Sequence, residues 1–111
     1  MNDIRLIASD VDGTMLPRGG AISEGLRKAV AACRELGVPF IIASGRWIGA
    51  MGDVIRQAGC EGLPLIIANG AASLGADGAP LREWFLSEGE ARAVFDRLRR
   101  LDVQDRKEHT V

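Results

Sequence analysis

The chain has 111 residues, 47% hydrophobic and 26% charged, which suits one folded domain and excludes both wholesale disorder and two full-sized domains. Fourteen Lys and Arg stand against fifteen Asp and Glu, a net charge of -1, so no basic excess marks nucleic acid or an anionic membrane surface as the partner. No apolar run reaches the ~18–20 residues of a membrane span, and the start Met1-Asn2-Asp3-Ile4-Arg5 lacks the basic, apolar and small-residue segments of a signal peptide.

Ile4 to Ser9 is a short apolar run that stops at Asp10-Val11-Asp12-Gly13. Runs of this kind suit strands buried on both faces of a parallel sheet. A loop with Pro17, Gly19 and Gly20 follows, and Ser23 is placed to cap a helix over 24–36. Leu26, Ala29, Val30, Cys33 and Leu36 recur there at helical spacing, and Gly37 supplies the stop. A second strand over 38–43 ends at Ser44-Gly45-Arg46. A second helix over 47–58 carries Ile48, Met51, Ile55 and Ala58, with Gly59 closing it. A third strand over 64–68 ends at Asn69-Gly70. Asp77-Gly78 marks a hairpin turn within 71–86. Ser87 and Glu90 form a capping box. Ala91, Val94, Phe95, Leu98 and Leu101 line one face of a third helix over 88–100. From Asp102 the sequence is polar and reads as a fraying tail, giving a domain over 1–101 and a tail over 102–111.

Strand–helix–strand–helix–strand predicts an α/β fold with a parallel sheet. Ligands of such sheets bind at the carboxyl ends of the strands. Three polar, glycine-bearing strand ends therefore converge on one edge, with Asp10, Ser44 and Asn69 at their heads.

Asp10 and Asp12 are two carboxylates at one strand end. Such a pair repels unless a cation or shared proton intervenes, and hard oxygens at this spacing suit Mg²⁺. A carboxylate can also act as a covalent nucleophile while a second serves as general acid and base. Gly13 permits a tight turn, and Thr14 offers a hydroxyl and an N–H to anionic oxygens. The bland alternative is a turn built from residues that favour turns. Ser44-Gly45 at a helix start suits a phosphate oxygen, although serine and glycine are common there for structural reasons. Arg46 suits phosphate or a structural ion pair equally. Asn69 either orients the catalytic loop, touches substrate, or simply makes a turn. Trp47 and Trp84 read as packing residues, Cys33 as core, and the arginines of the third helix as a solvated face. Cys33 and Cys60 have no metal or redox spacing, and they read as reduced thiols of a cytoplasmic protein. His109 is the sole histidine, which argues against a histidine zinc site or a Ser-His-Asp triad.

Asp10-Val11-Asp12-Gly13-Thr14-Met15-Leu16 after an apolar strand resembles the first motif of the haloacid dehalogenase superfamily. Ala43-Ser44-Gly45-Arg46 resembles the second motif of its Cof-type sugar-phosphate phosphatases, and Ile67-Ala68-Asn69-Gly70-Ala71 resembles that branch too. The resemblance spans about residues 3 to 100. It implies a three-layer Rossmann-like core, present in part: about three parallel strands and a hairpin, without the cap or the C-terminal core strands.

It also implies a Mg²⁺-dependent phosphatase acting through an aspartyl-phosphate. Asp10 would be nucleophile and metal ligand. Asp12 would be the general acid/base, with its main-chain carbonyl on the metal. Ser44, Gly45, Arg46, Thr14 and Asn69 would serve the phosphoryl group or the loop around it. The substrate would be a small phosphorylated metabolite, with no nucleic acid or membrane partner. The family's lysine motif and its Gly-Asp motif have no counterpart here: Lys28 is on the first helix and Lys107 in the tail. This leaves two expectations besides an impaired enzyme: a non-catalytic remnant that binds phosphate, metal or a partner, and self-association or a complementing C-terminal half. A receiver domain would need an aspartate where Asn69 stands, and a dinucleotide fold would need G-x-G-x-x-G after the first strand.

Overall fold

In a computed structural model, residues 3–109 are described. Residues 1, 2, 110 and 111, the last two in the expected tail, lie outside the described residues, as do the side chains of Asp105, Lys107, Glu108 and His109.

Five strands form one sheet in the order β1-β2-β3-β4-β5: β1 Ile7–Ser9, β2 Phe40–Ala43, β3 Leu65–Ile67, β4 Ala72–Leu74 and β5 Pro80–Glu83. The first three run parallel, and β4 and β5 add antiparallel. The three expected parallel strands and the hairpin are present. Each strand is shorter than its apolar run. Ile4 and Leu6 are 57% and 52% exposed: the pairing of β1 with β2 begins only at Ile7, opposite Phe40. Pro39 and Pro64 precede their strands and carry no N–H for a ladder.

α1 spans Glu24–Glu35, with the Ser23 hydroxyl accepting from the Leu26 N–H at 3.1 Å. The second helix departs from expectation. A single turn over Ile48–Ala50 breaks at Met51, and α2 starts only at Gly52, ending at Ala58. Gly49 and Gly52 weaken any continuous helix there. Met51 is fully buried, and the break lets it reach the core. Gly59 then ends α2 in the left-handed conformation, φ 73°.

α1 and α2 pack against each other, so both cover one face of the sheet. That face holds Phe40, Ile42, Leu65, Ile67, Ala72 and Leu74, all buried, with Val11, Val30, Met51 and Val54 filling in from loops and helices. Pairing register puts Ala8 with Ile41 and Ala43 with Ile66 on the other face. It is more open: Ala8 and Ile66 are exposed there.

α3 runs Glu88–His109, past the Asp102 at which the sequence reading ends it. Its capping box is reciprocal: Glu90 N–H donates to the Ser87 hydroxyl at 3.1 Å and Ser87 N–H to the Glu90 carboxylate at 3.2 Å. An i,i+4 pair between Arg106 and Asp102 extends the helix into the polar segment. Every described α3 side chain except half-buried Ala91 is exposed. Twenty-two residues at ~1.5 Å each make a rod of roughly 33 Å, and the molecule is accordingly elongated, 61 × 32 × 27 Å. The tryptophans expected to pack are more than half exposed, Trp47 at 53% and Trp84 at 70%. Trp47 stacks at a tilt on Phe85, centroids 6.0 Å apart.

Candidate active site

The carboxyl ends of β1, β2 and β3 meet in a shallow cleft of about 270 Å³ lined by Asp10, Ala43, Ser44, Gly45, Ile66, Asn69 and Gly70. The three strand ends thus share one cleft. Why they do is a matter of parallel pairing: register fixes Ser9 beside Ile42 and Ala43 beside Ile66, so each following loop leaves the sheet at the same level.

The first loop is a tight knot. Val11 is fully buried between exposed Asp10 and Asp12. Its carbonyl accepts from Thr14 N–H at 3.1 Å and Leu16 N–H at 2.9 Å, while Gly13 N–H donates to the Leu16 carbonyl at 2.9 Å. Gly13 has φ 81°, which only glycine adopts without strain. The Thr14 N–H is therefore turned into the loop and not toward a ligand, and Thr14 lines neither cleft described here.

The second loop is held by β3. Ser44 N–H donates to the Ile66 carbonyl at 2.9 Å, Ala68 N–H to the Arg46 carbonyl at 2.9 Å, and Asn69 N–H to the Ser44 carbonyl at 3.1 Å. Ser44 is only 5% exposed, and its hydroxyl oxygen accepts from Arg46 N–H at 3.1 Å. That leaves the hydroxyl hydrogen, the Gly45 N–H and the Asn69 carboxamide without a partner among the described residues. Three donors beside the Asp10 carboxylate make a set suited to a tetrahedral oxyanion.

Asp12 lies on a neighbouring cleft of about 540 Å³ with Gly13, Leu16, Pro17, Arg18, Gly19, Gly20 and Arg46. Arg46 grips its carboxylate in bidentate fashion, Nε to Oδ2 at 3.0 Å and Nη2 to Oδ1 at 2.6 Å, and donates from Nη1 to the Ala50 carbonyl at 3.1 Å. These hydrogen bonds hold the Asp12 carboxyl below the usual carboxylate range, against a smaller opposing desolvation. Of the two roles open to Arg46 in the sequence, the structure shows the ion pair. Arg18, which sequence reading passed over inside a Pro-Arg-Gly-Gly loop, lines the same cleft.

Mg²⁺ takes hard oxygen ligands and keeps several waters. Among the described residues no three acidic, histidine or cysteine side chains converge. The Asp10 carboxylate and the Asp12 main-chain carbonyl are nonetheless hard donors on one loop. Arg46 already neutralises the Asp12 side chain. The donors fit the ion in type, with water left to complete its shell.

Compared with known proteins, residues 7–104 match the haloacid dehalogenase-like hydrolase family. The chain belongs to that family. Solved structures agree. A haloacid dehalogenase-like hydrolase from Bacillus subtilis superposes with a TM-score of 0.77 at 22% identity, covering 88% of this chain and 34% of the other. A phosphatase of the superfamily from Bacteroides thetaiotaomicron gives 0.74 at 24%, covering 89% and 36%. A Thermoplasma acidophilum protein gives 0.67 at 27%, covering 87% and 42%. The chain thus spans roughly a third of the length of the Bacillus subtilis and Bacteroides thetaiotaomicron proteins, and its fold matches that part of theirs.

Proposed function

We propose that this hydrolase-family chain carries the nucleophile side of a Mg²⁺-dependent phosphomonoester phosphatase of the Cof type, acting on a small phosphorylated metabolite such as a sugar phosphate in the cytoplasm. The observation that carries the reading is the single cleft uniting the Asp10 carboxylate with the unused donors of Ser44, Gly45 and Asn69.

In this reading the phosphoryl oxygens accept hydrogen bonds from the Ser44 hydroxyl, the Gly45 N–H and the Asn69 carboxamide. An Asp10 carboxylate oxygen attacks phosphorus as the ester oxygen leaves, giving an aspartyl-phosphate. Asp12 protonates the leaving oxygen, then accepts a proton from the water that hydrolyses the acyl phosphate. Arg46 favours the second half of that cycle, because it stabilises Asp12 as carboxylate. For the first half, Arg46 must loosen its grip. Mg²⁺, held by the Asp10 carboxylate and the Asp12 carbonyl, would offset charge on the phosphoryl oxygens.

Phosphoryl transfer rests on positioning and charge stabilisation. Each missing preorganised group costs ~10²–10³ in rate, and among the described residues no lysine lines either cleft. That observation favours a second reading, a non-catalytic module that binds phosphate, metal or a complementing chain at the same cleft. Hydrolysis of an aryl phosphate separates them. Turnover that depends on Mg²⁺ and disappears in Asp10→Asn supports the enzyme; no turnover, with phosphate still bound, supports the module. Turnover that survives Asp10→Asn, or Mg²⁺ affinity unchanged by it, defeats the site altogether.

A further inference from the structure

Ala68 and Asn69 are the two non-glycine residues with positive φ among the described residues, at 49° and 55°. They are consecutive, and they sit where β3 meets the cleft. Left-handed backbone is unfavourable for L-residues, Asn least so and alanine more. Strain of this kind persists only where surrounding structure imposes it. Here the imposing contacts are the two hydrogen bonds already described, from Ala68 N–H to the Arg46 carbonyl and from Asn69 N–H to the Ser44 carbonyl. The left-handed pair thus grips the second loop on both sides of Gly45.

Gly45 closes the argument. Its φ is not positive, so backbone conformation does not require glycine there. Space does: a Cβ at Gly45 would stand 2.7 Å from Asn69 Oδ1, 3.3 Å from Cγ and 3.4 Å from Nδ2. A larger residue at position 45 would therefore push the Asn69 carboxamide out of this place.

We infer that Asn69, besides offering its carboxamide to phosphate, also positions the second loop. Ala68, Asn69 and Gly45 form a clasp that sets the Ser44 hydroxyl and the Gly45 N–H relative to Asp10. This rests on the phosphatase reading for its consequence, though not for its geometry. The pair Gly45–Asn69 should therefore behave as one unit: enlarging the first displaces the carboxamide of the second, and removing the carboxamide makes room at the first.

The test uses the full chain, inorganic phosphate as probe, and the Ser44, Gly45 and Arg46 amide resonances as readout. Gly45→Ala should shift the Ser44 and Arg46 amides and weaken phosphate by about tenfold or more, the loss of one charge-assisted hydrogen bond. Asn69→Gly suits left-handed backbone but removes the carboxamide donor, and should also weaken phosphate by about tenfold. The double variant should return to the level of Asn69→Gly. A double variant that loses the product of the two single effects overturns the clasp, as does Gly45→Ala with unmoved amides. If wild type ignores phosphate, the phosphatase reading fails. The clasp then stands or falls on whether Asn69→Gly restores the amides that Gly45→Ala displaced. Should both chains carrying Gly45→Ala unfold, Asn69→Gly alone decides: moved Ser44 and Arg46 amides support the clasp, and unmoved ones overturn it.

Discussion

The same chemical change, alanine to glycine, should act in opposite directions at two positions of this chain. Ala31 is an exposed interior residue of α1. Glycine there should cost about 1 kcal/mol, because the helix loses its best former and the unfolded chain gains freedom. Ala68 holds φ 49°, where an L-residue suffers roughly 1–2 kcal/mol of steric strain. Glycine removes that. It also loosens the unfolded chain by about 0.4–1 kcal/mol and loses the methyl of a half-buried residue, worth at most part of the ~0.8 kcal/mol of a buried carbon. Relief exceeds these losses by a few tenths of a kcal/mol. Thermal unfolding followed by circular dichroism should show Ala31→Gly melting about 4–8 °C lower, since ~1 kcal/mol moves a domain of this size by that much. Ala68→Gly should melt at or slightly above wild type. Phosphate binding should move the other way: Ala68→Gly should bind more weakly, because the freed backbone holds the Ser44 loop less firmly. Equal destabilisation by both substitutions would refute left-handed strain at Ala68, and with it the idea that the loop is under tension.

Other outcomes follow from single contacts. Glu90 has a lowered pKa, chiefly through the Ser87 hydrogen bonds. Its contribution to α3 is present above the ordinary glutamate pKa of about 4.3 and is lost as pH falls toward the lowered folded value; Glu90→Gln should flatten that acid-side loss of helix signal. Arg46→Met should let the Asp12 carboxyl titrate closer to its ordinary value, upward from wild type, read from its carboxyl carbon by NMR; an unmoved titration would mean that Arg46 does not hold Asp12. Val94, Phe95, Leu98 and Leu101 are 46%, 67%, 56% and 51% exposed on α3, and among the described residues β1 is an edge strand, paired on one side with β2. Light scattering at micromolar concentration should show association, reduced in Phe95→Glu/Leu98→Glu; a wild-type monomer would contradict this.

Much of this architecture was legible because it follows from local rules. Apolar runs ending in polar, glycine-bearing turns marked the parallel strands, and Ser23 and Ser87 marked two helix starts. Knowing that parallel strands share a carboxyl edge brought Asp10, Ser44 and Asn69 together in advance. What escaped depended on contacts across the chain. The break at Met51 follows from the core's demand for that side chain, and periodicity alone cannot show it. The extension of α3 through Asp102 rests on an ion pair inside a segment that merely looked polar. The grip of Arg46 on Asp12 joins residues from two loops, and so left Arg46 open between ligand and ion pair. The inward Thr14 N–H depends on the knot around Val11. Gly45 looked like a flexible phosphate-loop glycine; its reason is the carboxamide of Asn69. The tryptophans, read as packing residues, stay more than half exposed, Trp47 against Phe85, because hydrophobic identity does not ensure a full set of neighbours.

The central claim is that Asp10 accepts a phosphoryl group in a cleft shaped by Ser44, Gly45 and Asn69. Beryllofluoride, a tetrahedral mimic of a phosphoryl group on a carboxylate, tests it without requiring turnover. Titrated with Mg²⁺ into the wild-type chain and followed by fluorine NMR, it should give a bound signal. That signal should vanish in Asp10→Asn and weaken in Ser44→Ala. A bound signal unchanged in Asp10→Asn, or none in wild type at saturating Mg²⁺, would contradict the claim.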